Sequence, residues 1–212
     1  MAVSMFIVSK AGNFEQAGNP LAFSKLKKGS DKMKTRFFIF LLLLGSSPVW
    51  SPAWAEQTCD AKYPMSTPVE RFKDNGDGTL TDIQSKLTWM RCSLGQVWTG
   101  ATCTGTPSSY TWQSAQDAAN KLNHEGGYAN HHWRVPHIPE IAMIAERQCS
   151  NPRINLTLFP ATPTVYFWTA TTRRGPGMEA FAYVISFGAE GAMYKSKEEM
   201  LNVRLVSGGK PM

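Results

Sequence analysis

The amino-acid sequence predicts an α+β domain. Three observations lead there. Residues 112–123 carry a clear 3.6-residue periodicity, and a second helical pattern follows closely, over 138–147. Strand-like runs then gather late in the chain instead of alternating with helices, which argues against a β-α-β rhythm. With 42% hydrophobic and 18% charged residues among 212, the composition excludes a highly charged disordered chain, a coiled coil and a collagen-like repeat.

The front end is read first because it carries the charge. Residues 1–55 hold seven Lys/Arg and two acids, which leaves 15 basic against 14 acidic residues in 56–212, a net of +1. The overall +6 therefore belongs mostly to the front, and nucleic acid is not an expected partner. From Met33 the chain reads MKTRFFIFLLLLGSSPVWSPAWA. Lys34 and Arg36 form a positive n-region, Phe37 to Leu44 an apolar run, and Ala53-Trp54-Ala55 an A-x-A site. Residues 33–55 are expected to be a signal peptide cleaved before Glu56. The apolar run is too short to cross a bilayer core, which needs about 20 residues, so no transmembrane anchor is expected after cleavage. Met33 opens a better signal peptide than Met1, so residues 1–32 are read as a non-native extension. The mature protein is expected to be exported, to the periplasm or the exterior.

All four cysteines lie beyond the cleavage site, which reads as disulfides in an exported domain. Four cysteines allow three pairings. Cys92 and Cys103 flank an easily closed Gly/Thr/Ser-rich segment, which favours Cys92–Cys103 with Cys59–Cys149. No C-x-x-C spacing supports zinc.

Residues 56–69 form a Pro-containing lead-in. Asp74-Asn75-Gly76-Asp77-Gly78 precedes Thr79–Asp82, and Leu87–Met90 follows, which reads as turn punctuation around short strands. The run lacks the D-x-[DN]-x-[DN]-G pattern and a twelfth-position Glu, so it reads as a turn rather than a calcium loop. In WQSAQDAANKLN, Thr111 can cap the helix, Trp112, Ala115, Ala119 and Leu122 share a face, and Gly126-Gly127 stop it. The second helix spans about Ile138 to Arg147, with Pro139 tolerated in its first turn. Strands are expected over 165–170, 180–187 and 201–206. In the middle one Phe181, Tyr183, Ile185 and Phe187 alternate with Ala182, Val184 and Ser186.

Several of these segments carry a resemblance. DNGDGTLTDIQSKLTWMRC, CTGTPSSYTWQSAQDAANKLN, HHWRVPHIPEIAMI, CSNPRINLTLFPATPTVYFWTATT and VRLVSGG, in that order, resemble the Lcl C-terminal domain family, the domain that ends a bacterial collagen-like adhesin. The resemblance spans residues 70–209. It implies a C-type-lectin-like fold, two helices with a small twisted antiparallel sheet, distantly similar to formylglycine-generating enzymes. It also implies adhesion and carbohydrate binding, since the adhesin relative is associated with sulfated glycosaminoglycans.

The enzymatic side of that lineage is not expected here. Formylglycine-generating relatives use two late cysteines, and this chain has none after Cys149. There is no G-x-S-x-G or phosphate-binding Gly loop, so no catalytic residue, cofactor or metal is assigned. The EPN, QPD and WND signatures of calcium-dependent lectins are absent, and Ser150 stands before Asn151-Pro152 where a carboxylate is needed. His124, His131, His132 and His137 do not form a zinc pattern; His137-x-x-Glu140 suits a helix cap. Trp133, Arg134, Pro136 and Glu140 form the family's most recognisable stretch. They are read structurally, with Trp133 in the core and Arg134 paired to Glu140 at the strand-to-helix turn. Trp89, Trp112 and Trp168 are expected core aromatics, whereas Trp98, inside the Cys92–Cys103 loop, is expected to be exposed and to contact a ligand.

The expected function is a non-enzymatic binding or adhesion module of the bacterial envelope or exterior, with a polysaccharide or an envelope protein as partner. The alternative is a structural subunit of a surface assembly, and homo-oligomerisation stays open. A polyanion would need a local basic cluster. Arg173 and Arg174, in a Gly/Pro-containing hairpin tip, supply it, with Lys195 and Lys197 able to join.

Overall fold

Trp89 and Met90 are neighbours in sequence, yet each belongs to a different hydrophobic cluster. The same division separates Phe167 from Trp168, Ile185 from Val184, and Val206 from Leu205. Successive strand side chains point to opposite faces. Strands covered on both sides therefore feed two cores and lose the apolar/polar alternation of a half-exposed sheet. A computed structural model describes residues 56–209. The expected extension over 1–32 and the signal peptide over 33–55 lie outside the described residues.

In chain order the elements are β1 (Thr58–Cys59), a 3-10 turn (Val69–Arg71), β2 (Phe72–Asp74), β3 (Thr79–Asp82), β4 (Thr88–Met90), β5 (Val97–Trp98) and β6 (Cys103–Thr104). Helix α1 (Trp112–His124), β7 (Trp133–Arg134), α2 (Ile138–Ala142) and β8 (Cys149–Ser150) follow. The chain then forms β9 (Tyr166–Thr172), β10 (Phe181–Ser186), β11 (Ala192–Ser196) and β12 (Val206–Ser207). The class is mixed α and β, but one small sheet understates it. The described residues form a five-stranded sheet β2-β3-β4-β12-β7, a three-stranded sheet β11-β10-β9, and the pairs β1-β8 and β5-β6. Their strand pairings are antiparallel.

Helix α1 matches its local signals. Thr111 Oγ1 accepts from the Ser114 N–H at 3.2 Å, and Ala115 and Ala119 are buried against the second cluster. Helix α2 ends five residues earlier than the sequence pattern suggests. The Glu146 carboxylate is drawn instead to Ser66 and Thr67, and Ala145 bridges to Ile154, so the chain leaves the helical path.

The late strands also need correction. Residues 201–206 contain only the start of β12: Leu201 and Asn202 form isolated bridges to Tyr110 and Phe167, and the Val203 and Leu205 carbonyls accept from the Leu94 and Met90 N–H groups, so the backbone changes partners instead of following one neighbour. In β10 the small residues Ala182 and Val184 are fully buried, whereas Phe181 and Tyr183 are only partly so. A register irregularity between Ala182 and Val184 separates those halves. Strand β11 was not foreseen; it is a short edge strand carrying Lys195, a residue type that guards edges.

The lead-in is fastened to the body. Cys59 is bonded to Cys149, and Gln57 Nε2 donates to the Pro152 and Ile154 carbonyls at 2.7 Å each. Arg71 and Asp82 pair beside it, Nη2 to Oδ2 2.5 Å.

Candidate functional site

The segment after β4 must reverse within a few residues to form β5, and Cys92–Cys103 holds that reversal closed. Trp98 sits opposite Cys103 in the β5-β6 pair. Its ring lies under the Arg91 guanidinium, 4.3 Å away, so the indole, expected to be exposed, is partly covered. Arg91 is itself immobilised. It donates to the Leu158 carbonyl (3.1 Å), the Thr157 carbonyl (3.0 Å) and Asp74 Oδ2 (2.7 Å).

Across from Trp98 stands Tyr128, in the loop after α1. Its hydroxyl donates to the Asp77 carbonyl at 2.6 Å. Burial, followed by the nearby Asp77 carboxylate, raises the phenol above its ordinary pKa. The Asp74–Gly78 turn is self-sufficient, since Asp74 accepts from Gly76 N–H and Asp77 from the Thr79 N–H and hydroxyl. Gly78 is required there: its φ is +86°, and a Cβ would run into Trp98 and the Tyr128 hydroxyl. Together the turn, the disulfide loop and the end of α1 enclose a cleft of about 250 Å³. Trp98 was legible as a contact candidate; Leu122 and Tyr128 were not, because only tertiary folding brings them to it.

The expected basic cluster does not form as one surface. Arg173 lies 3.8 Å over the Tyr194 ring, which meets Phe181 edge-on. Lys195, next along β11, turns to the opposite face, with Nζ 3.4 Å from Glu199 and 5.0 Å from the Tyr166 ring. Lys197 donates to the Glu179 carbonyl at 2.7 Å and lies 4.6 Å from the Trp112 ring. Arg174 is the exposed member and makes no ion pair among the described residues. It borders a recess of about 390 Å³ with His137, Ile138, Pro139, Ala170, Thr171 and Thr172.

Arg134 and Glu140 pair bidentately at 2.7 and 2.6 Å, and Glu140 also accepts from the His137 N–H at 2.7 Å. Burial pushes the Glu140 carboxyl up, but these hydrogen bonds and the Arg134 charge outweigh it and hold it below its ordinary value. Trp133 and Pro136 are buried beside the pair. His131 meets Trp133 edge-on at 5.4 Å, and His132 is exposed. Among the described residues no group of three or more His, Cys, Asp or Glu is placed to hold a metal.

Glu146 and Arg204 are among the buried charges that escaped sequence reasoning. Glu146, 0% exposed, accepts from the N–H and hydroxyl of Ser66 and of Thr67 and from the Gln148 N–H. Burial alone would raise its pKa; the hydrogen bonds prevail and bring it down to about 2. Arg204, also 0% exposed, faces the Met90 and Arg91 carbonyls, the Thr162 hydroxyl and the Phe159 ring, and burial lowers it to about 9.

A family model described as the Lcl C-terminal domain matches residues 78–207, from the cleft-forming Gly78 to the end of β12. No curated protein matches the chain.

Proposed function

The chain belongs to the Lcl C-terminal domain family, and from that premise we propose that it is an exported, non-enzymatic binding module of adhesin type that recognises polysaccharide. The observation that carries the ligand class is Arg174, an exposed guanidinium with no ion-pair partner among the described residues, bordering a recess with the His137 ring and the Thr171 and Thr172 side chains. A guanidinium grips sulfate or carboxylate with two parallel hydrogen bonds, and neighbouring hydroxyls add direction. We read the scaffold as C-type-lectin-like, supported by two helices packed on antiparallel sheets.

Three buried carboxylates serve the fold rather than acid-base chemistry. Asp82, Glu140 and Glu146 are each held ionised by hydrogen bonds, with pKa values below their ordinary range. General acid-base work near neutrality needs the opposite tuning. Export is supported by the two disulfides, and no helix among the described residues is long and apolar enough to cross a membrane. N-terminal sequencing of the product recovered outside the cytoplasm is expected to begin at Glu56.

A glycan array probed with the full chain, run beside a pull-down from envelope extract, tests the reading. Retention on anionic polysaccharides supports it. Silence on the array with stoichiometric capture of envelope proteins favours the structural-subunit alternative, for which the partly exposed Tyr194 and Phe181 offer a contact surface.

A further inference from the structure

We propose that the recess beside Arg174 is regulated by pH: protonation of His137 adds a second cation there and tightens the grip on sulfated polysaccharide as the medium turns acid. The inference rests on the reading of that recess as a polyanion site and adds its control.

Position is the first argument. His137 and Arg174 line the same recess, together with Thr171 and Thr172. His137 is half-buried at the head of α2. His131 and His132 border a different hollow, with Asn123 and Asn130. Imidazole is the side-chain group whose ordinary change of charge falls between pH 5 and 8.

The hydrogen-bond wiring comes next. His137 Nδ1 lies 3.4 Å from Thr171 Oγ1, and that same oxygen accepts from the Ile138 N–H at 3.0 Å. A hydroxyl has one proton and two lone pairs. Against a neutral ring that presents a lone pair at Nδ1, the Thr171 proton is spent on the ring. In the imidazolium both nitrogens donate, so Nδ1–H takes the second lone pair of Thr171 and the hydroxyl proton turns away. Acidification thus delivers a charge and a hydroxyl donor to the recess that Arg174 borders. A sulfate group, whose oxygens accept from several donors, uses both.

Among the described residues, the charges that face His137 do not cancel this change. On α2 the acid is Glu140, whose Oε2 accepts from the His137 backbone N–H at 2.7 Å. It is already matched by Arg134, on β7, in a bidentate pair, and its carboxyl is held below its ordinary value. Strands β9 and β10, which pack on α2, carry no acid and no cation; their titratable side chains are the phenols of Tyr166 and Tyr183. The Arg134–Glu140 pair is neutral and fixed, so the recess passes from the charge of Arg174 alone to that of Arg174 and His137. By reciprocity, a bound polyanion holds the proton on His137, and binding near neutrality takes up a proton.

The test is binding of dextran sulfate, whose sulfates stay ionised throughout, to the full chain at pH 5.5 and at pH 8 in fixed salt. Wild type is expected to bind about tenfold more tightly at the lower pH, the value of one charge-assisted hydrogen bond. His137→Gln should keep the affinity measured at pH 8 and lose the acid gain, whereas His132→Gln should retain that gain. His137→Arg carries a fixed cation and should bind at pH 8 as tightly as wild type does at pH 5.5, an outcome no misfolded variant can produce. The contact of Glu140 with the backbone N–H of residue 137 does not depend on the side chain there. Equal wild-type affinity at both pH values, still lost in Arg174→Ala, would overturn the pH proposal and leave the polyanion reading standing. An acid gain that persists in His137→Gln would do the same. Absence of binding at either pH would overturn both.

Discussion

The Glu146 carboxylate accepts from both the N–H and the hydroxyl of Thr67, at 2.8 and 2.6 Å, across 79 positions of sequence. That pair closes the lead-in over the first hydrophobic cluster, because the Thr67 carbonyl in turn accepts from Asn155 Nδ2 at 2.8 Å. The pKa of about 2 turns this contact into a pH dependence. A carboxyl held below its unfolded value stabilises the fold fully above that value and loses the contribution as pH falls through its folded pKa. Glu146 is therefore expected to contribute about 3 kcal/mol at pH 7, declining between about pH 4.5 and pH 2. Urea titrations of Glu146→Gln should show about that loss at neutral pH and a flatter acid limb. An acid limb identical to wild type would contradict the assignment.

The turn joining Tyr128 to His131 places two consecutive residues in the left-handed region, Ala129 at φ +53° and Asn130 at φ +57°. Asn tolerates that conformation; Ala pays for its Cβ. Ala129→Asn should stabilise by about 0.5–1 kcal/mol and raise the thermal midpoint by a few degrees. Ala129→Val should lower it.

The Cys92–Cys103 bridge closes a short loop, and loop-closure entropy assigns it about 3 kcal/mol. The double substitution Cys92→Ser with Cys103→Ser should cost about that much in denaturant. It should also release Trp98 from β5-β6 pairing, seen as a red shift of its emission. Stability within error of wild type would show that the loop is held by other contacts, Arg91 foremost.

How much of this was readable in advance follows from how local each cause is. Helix α1 was legible because its cap at Thr111 and its stop at Gly126-Gly127 sit at its own ends. Helix α2 was overextended because the force that ends it, the capture of Glu146 by Ser66 and Thr67, comes from far away in sequence. The Arg134–Glu140 pair was readable from its spacing at a strand-to-helix turn. The basic residues were grouped by sequence proximity, and pleating undid the grouping. Once 192–196 is a strand, Tyr194 and Lys195 must face opposite ways, and Arg173 follows Tyr194. The cleft was half visible: Trp98 stands in a marked loop, but Leu122 looks like any helix-core residue and Tyr128 like any loop aromatic.

The division of Arg173 from Arg174 gives the polysaccharide reading its sharpest consequence. Arg173→Ala removes a cation stacked on Tyr194 and should cost about 0.5–1 kcal/mol of stability with little effect on polyanion retention. Arg174→Ala should do the reverse.

Heparin-column chromatography at low salt, with wild-type chain and Arg174→Ala run side by side, measures this most directly. Wild type should be retained and elute with added salt. Arg174→Ala should elute at clearly lower salt with its thermal midpoint unchanged. If the wild-type chain passes straight through at low salt, or if both proteins elute together, recognition of an anionic polysaccharide at the Arg174 recess is contradicted.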